Sequence, residues 1–168
     1  LEVLNPCLEL DLNEVAPKLK NYDGLIWGGS SLNIYNDTPE IKRQILFMKE
    51  CFKNVKKILA ICWGMQVAVT AAGGEVKKGT KGSHIGIANN IELTNEGLNN
   101  PLYKDKNNKF NTPAFNFDEV VTTPKDSIHL ASNKDDGTSA LIKRAEGLAM
   151  WFIETADGVD FAGDDRWQ

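Results

Sequence analysis

Between Lys57 and Val69 the chain reads Lys-Ile-Leu-Ala-Ile-Cys-Trp-Gly-Met-Gln-Val-Ala-Val. An apolar run of strand length meets a cysteine, and an apolar run of helical length follows at once. Few folds accept such a junction, because the chain must pass from strand to helix through one sharp turn with Cys62 at its apex. The apex backbone is strained and the helix passes close to the strand, so the neighbours must be small. Ala60, two places before Cys62, and Gly64, two places after, meet that demand. A helix starting beneath the sulfur favours the thiolate, the nucleophilic form. It also offers backbone N–H groups to an oxyanion developing beside the sulfur. The same spacing suits a buried structural cysteine at a strand end.

Length and composition bound the alternatives. A chain of 168 residues suits one domain with a real core. Hydrophobic content of 42% and charged content of 25% are ordinary for a globular chain. A formal net charge of −4 argues against a general nucleic-acid surface. No apolar run reaches the roughly 18–20 residues that span a bilayer, and no signal peptide is visible. The three cysteines, Cys7, Cys51 and Cys62, are odd in number and lack metal-ligand spacing. A reducing cytoplasm is the simple expectation, with no metal, cofactor, membrane or nucleic-acid partner.

Residues 24–27 are short and apolar, as a buried parallel strand requires. Thr38-Pro39-Glu40 opens a helix: a capping hydroxyl, a proline at the first position and an acid at the positive end. Ile41, Ile45, Met48 and Phe52 then recur on one face. A buried helix over 65–72 follows the apex and stops at Gly73-Gly74. Beyond Glu75 the pattern changes. Short strands are predicted at 84–88, 90–93, 110–117, 119–122, 128–131 and 139–143. Loops are predicted at 99–101 and 105–109, and a solvated basic loop around Lys77-Lys78 and Lys81.

Four stretches, in order, carry a resemblance. Ala60-Ile61-Cys62-Trp63-Gly64-Met65-Gln66 resembles the nucleophile motif of class I glutamine amidotransferases, usually Gly-x-Cys-x-Gly-x-Gln, with Ala60 in place of the first glycine. Tyr22-Asp23-Gly24-Leu25-Ile26-Trp27-Gly28-Gly29-Ser30 resembles the strand and turn that carry part of the oxyanion hole. Ala71-Ala72-Gly73-Gly74 resembles the end of the elbow helix. Asn116-Phe117-Asp118-Glu119-Val120 resembles the segment that often reads His-Ser-Asp-Glu-Val. The likeness covers roughly residues 1 to 150 and is strongest to free-standing proteins similar to the glutaminase domain of GMP synthase.

The resemblance implies a flavodoxin-like α/β fold: a doubly wound, mostly parallel sheet with an added antiparallel segment. One domain over 1–156 and a tail over 157–168 are expected. Residues 1–6 resemble the second strand of that fold, so the first strand is expected to be missing and the chain to be a fragment. Losing a central strand leaves an apolar slot and unpaired strand edges.

The implied chemistry is hydrolysis of the glutamine side-chain amide through a thioester on Cys62. The resemblance assigns the oxyanion donors to the backbone N–H groups of Gly29 and Trp63. It assigns substrate contacts to Gly28, Gln66, Asn116 and Asp118, with Glu119 beside them. Packing is the competing role for Gln66, and a solvated turn for Asp118. The family completes its triad with His-Pro-Glu on a late strand. Here Met150-Trp151-Phe152 runs on into Ile153-Glu154-Thr155, and no histidine follows His129. His84 and His129 are the remaining candidates for a base. Three readings stay open: a glutaminase passing ammonia to a separate acceptor protein, a non-catalytic module that binds glutamine or a partner, and a truncated product.

Overall fold

The computed structural model describes residues 1–8, 11–80, 84–133, 139–145 and 148–153, with the backbone alone for His84, Asn116 and everything from 139 onward. The chain opens with α1 (Leu12–Leu19), whose cap is Asp11, accepting from the Asn13 N–H. Strand β1 (Leu25–Trp27) leads to α2 (Pro39–Asn54). Thr38 caps α2 by accepting from the Ile41 N–H, and Ile41, Phe47, Met48 and Cys51 are buried along its inner face. Strand β2 (Lys57–Ile61) and helix α3 (Trp63–Ala71) form the elbow. Ala72 then ends the helix, and Gly73 turns with a φ of +87° that glycine adopts without strain.

The later part is mostly strands: β3 (Glu75–Lys78), β4 (His84–Leu93), β5 (Lys109–Asn116), β6 (Asp118–Thr122), β7 (Ser127–Ser132), β8 (Ser139–Ala145) and β9 (Leu148–Ile153). The short helix α4 (Asn95–Leu98) and a tight helical turn, Pro101–Tyr103, lie between β4 and β5. One sheet runs β1-β2-β9-β8-β7-β4-β5, and β3 pairs with β6 in a second. Strands β1, β2 and β9 are mutually parallel, and the other described pairings are antiparallel. The expected α/β fold is present, and its added antiparallel segment makes up the larger part of the sheet.

Successive residues of β2 serve two cores, because side chains alternate across a sheet. Ile58 and Ala60 join Leu19, Trp27, Phe47, Met48, Trp63 and Val67 on one face. Leu59 joins Ala88, Ile91, Leu93 and Leu130 on the other. A parallel strand covered on both faces reads as an unbroken apolar run, as 58–61 does.

Three expectations need correction. The strands predicted at 84–88 and 90–93 are one strand, β4. The polar pair Asn89-Asn90 is a bulge, with Asn90 at φ 57° and the register against β5 shifting between Ala88 and Ile91. Lys77 and Lys78 lie on β3, where Glu119 and Asp118 are their register partners on β6. Residues 1–6 form no strand, since an extended run becomes one only by pairing. The outer edge of β1 is unpaired among the described residues. A cavity of about 990 Å³ lies against it, lined by Leu4, Leu19, Phe47 and Trp63 and reaching Gly28 and Gly29. Residues 157–168 lie outside the described residues.

Candidate active site

Cys62 follows the last residue of β2 and caps α3 with φ 53° and ψ −111°. Positive φ is uncommon for a residue with a side chain and costs on the order of 1–3 kcal/mol unless the surroundings impose it. Here they do. The Gly64 N–H donates to Gly28 O at 3.1 Å, which ties the elbow to the turn after β1. A methyl group on Gly64 would lie 2.4 Å from Trp27 O, so the helix can approach β1 only with glycine at this position. Trp63 is 2% exposed, and its indole N–H donates to the buried Gln44 Oε1 at 2.8 Å. That bond pins the first residue of α3, where backbone N–H groups have no acceptor in their own helix.

Gly29 backs onto the sulfur. A Cβ built on it would sit 3.7 Å from Cys62 Cβ and 3.8 Å from Sγ. Around Gly28 the corresponding space is open. In the parallel pairing of β2 with β9, Ile61 faces Ile153, so the chain leaves β9 at the cysteine's end of the sheet. The carboxyl ends of parallel strands are where crevices for ligands form.

One helical turn beyond Cys62, Gln66 is 9% exposed, and Asp118 at the start of β6 is 5% exposed. Burial holds the Asp118 carboxyl above its usual range, and the Tyr35 hydroxyl, the Gln66 amide and the Lys78 charge pull it part of the way back. Asp118 Oδ1 and Gln66 Oε1 are both buried without a hydrogen-bond partner. Two buried acceptors without partners are costly to leave so, and they suit a ligand rich in N–H donors.

The structure therefore brings Cys62, Gly28, Gly29, Trp63, Gln66 and Asp118 to one corner. Asn116 ends β5 opposite His84 of β4, two residues before Asp118. Both side chains, and all of Glu154, lie outside the described residues. Glu119 is occupied by the turn before β4, where its Oε1 accepts the Thr80 N–H at 3.2 Å. His129 is exposed on β7, three strands from β2, or roughly 14 Å across the sheet. It cannot reach the sulfur. Cys51 is fully buried, its thiol pushed up to about 12 chiefly by burial, and Cys7 is half-buried on the N-terminal segment. Sequence reasoning missed Gln44, although it has a local signal, a polar residue on the apolar face of α2.

Among the described residues no group of three acidic, histidine or cysteine side chains could hold a metal ion. No helix there is long and apolar enough to cross a membrane.

Comparison with known proteins agrees with this geometry. The family profile Glutamine amidotransferase class-I matches residues 5–150. The chain is 34% identical over 136 residues to a gamma-glutamyl-L-1-hydroxyisopropylamide hydrolase of a Pseudomonas species, which covers 79% of the chain and 46% of the relative. It is 27% identical to a glutamine-hydrolysing GMP synthase of Thermotoga maritima over 91% of the chain and 26% of the relative. The chain thus spans less than half the length of these curated relatives. Among solved structures, a glutamine amidotransferase of Thermotoga maritima superposes with a TM-score of 0.65 at 17% identity, covering 88% of this chain and 59% of that one. A GMP synthase subunit of Thermoplasma acidophilum also gives 0.65, at 18% identity over 84% of this chain and 73% of that one. At such identities the structures speak for the fold.

Proposed function

The chain belongs to the class I glutamine amidotransferase family, and we propose that it hydrolyses γ-glutamyl amides, glutamine first, through a thioester on Cys62. The observation that carries the reading is Cys62 itself: a cysteine in a left-handed backbone conformation, at the start of a helix, with Gly29 against its sulfur.

In this reading the Cys62 sulfur attacks the side-chain carbonyl carbon, and the backbone N–H groups of Gly29 and Trp63 hold the oxyanion. The C–N bond breaks and the amine leaves with a proton. Water then adds to the thioester, and glutamate departs as the thiolate reforms. Gly28 leaves open space for the substrate chain. Asp118 and Gln66 receive the α-ammonium group, whose three N–H bonds suit two open acceptors. Asn116, two residues before Asp118, is a further candidate contact. The thiol proton must reach the departing amine. The relatives' names support the acyl half of the substrate: a γ-glutamyl amide hydrolase, γ-glutamyl peptidases and glutamine-hydrolysing synthases. A separate protein would accept the ammonia.

One observation favours a second reading, a module that binds γ-glutamyl compounds without cleaving them: Met150-Trp151-Phe152 runs on into Ile153-Glu154-Thr155, where the resemblance leads one to expect His-Pro-Glu. Glutamate release from glutamine, measured for the protein and for Cys62→Ala, separates the two. Release that disappears with the substitution supports hydrolysis. No release, with glutamine binding retained in calorimetry, supports the binding module.

A further inference from the structure

Strands β3 and β6 make an antiparallel ribbon in which Val76 faces Val120, Lys77 faces Glu119 and Lys78 faces Asp118. Register partners put their side chains on the same face, and successive residues alternate between faces. Val76 is buried in one core with Val67 and Val69 of α3, the helix that carries Gln66, and Val120 packs against that core. Lys78 and Asp118 each lie two residues from one of these valines, so they continue the same inner face toward the end of the ribbon. Lys77 and Glu119 take the outer face, where Lys77 pairs with Glu75 at 3.0 Å. The inner face therefore ends in a buried carboxyl beside an exposed lysine, with their Cβ atoms about 5 Å apart as in any such pairing. The ammonium does not close on the carboxyl. Among the described residues no ion pair joins the two, and Asp118 Oδ1 has no hydrogen-bond partner.

We propose that Lys78 receives the α-carboxylate of the substrate, beside the α-ammonium group held by Asp118 and Gln66, so that the site selects γ-glutamyl compounds with a free amino-acid head group. The proposal rests on the γ-glutamyl reading above. The two head-group charges hang on one carbon, so their receptors must lie side by side with opposite signs. Lys78 and Asp118 meet that demand as register partners on one face. The lysine brings three N–H donors on a flexible stem, and a carboxylate accepts them in charge-assisted bonds. Lys77, one residue away, faces outward and cannot take its place.

The test is ammonia release by Lys78→Met, Lys78→Arg and Lys77→Met, compared with wild type, on L-glutamine and on L-glutamine α-amide. The α-amide keeps the α-ammonium group and lacks the carboxylate. Lys78→Met should raise KM for glutamine about tenfold, with kcat kept within about twofold and KM for the α-amide also within about twofold. If the α-amide binds without being cleaved, its inhibition constant against glutamine replaces KM. Lys78→Arg should restore most of the loss, and Lys77→Met, which removes the same charge, should stay within about twofold on both substrates. Equal losses on the two substrates would overturn the proposal, since the lysine would then act only through Asp118. A loss from Lys77→Met as large as that from Lys78→Met would overturn it as well. If wild type cleaves glutamine and Lys78→Met matches it, the proposal is overturned and the γ-glutamyl reading stands. If wild type does not cleave glutamine, calorimetry with Cys62→Ala protein decides. Glutamine binding weakened about tenfold by Lys78→Met, with α-amide binding unchanged, supports the proposal, and equal weakening or none overturns it. No glutamine binding to the Cys62→Ala protein overturns both the proposal and the reading.

Discussion

The corner around Cys62 and the antiparallel flank of β4 and β5 are built to opposite standards. The flank follows ordinary sheet rules. Thr112, Ala114 and Ala88 point inward and are buried, while Ile85, Ile87 and Phe115 point outward, and only the bulge at Asn90 breaks the alternation. The corner breaks local rules repeatedly. It holds a cysteine at positive φ, a glycine pressed against a carbonyl, a glutamine in an apolar core and a buried carboxyl with an open oxygen. Locally unfavourable features gathered in one place mark a site where function overrides stability. Substitutions should therefore separate the two regions by kind of effect as well as by size.

The largest effect belongs to the nucleophile. Cys62→Ala should lower glutamate release by about 10,000-fold or more while leaving the fold intact, since alanine keeps the small volume at the apex. Retained release would shift the chemistry away from the elbow. Gly64→Ala should lower stability by about 3 kcal/mol, because its methyl group meets Trp27 O, a backbone atom held in a strand. Urea unfolding measures this, and a change under about 0.5 kcal/mol would mean that helix and strand can part.

Asp118→Asn should reduce kcat/KM for glutamine by about 100-fold, through loss of a charged partner for the ammonium group. The same change should stabilise the protein at neutral pH. The sign follows from the raised carboxyl. Between the unfolded and folded pKa values the native state binds more protons, so stability falls as pH rises through that window. Asparagine removes that loss, and the melting-temperature gap over wild type should close on acidification below it. Equal melting temperatures at every pH would contradict the burial argument.

Gln44→Leu should cost about 1–2 kcal/mol by leaving the buried Trp63 indole N–H without an acceptor. It should lower kcat only modestly, through a looser first turn of α3. The smallest effect belongs to the flank side. His129→Ala should leave kcat/KM within about twofold, because β9 and β8 lie between its strand and β2. A large loss there would erase the contrast between the two regions.

The same contrast governs what the sequence discloses. The elbow was legible because its constraints act between near neighbours: Ala60, Cys62 and Gly64 must be what they are for one turn to close. Helix α2 was legible from Thr38-Pro39 and its apolar face. Helix α1 was not, since it is two turns long with Pro17 inside. The Asn89-Asn90 bulge looked like a turn because both use residues tolerant of positive φ.

The most direct test of the central claim is the covalent intermediate. Protein mixed with glutamine is quenched in acid and digested, and the peptides are weighed by mass spectrometry. The account predicts a γ-glutamyl group on the peptide containing Cys62, absent from the Cys62→Ala protein. Glutamate release with no adduct on Cys62, or with the adduct on Cys7, would contradict it.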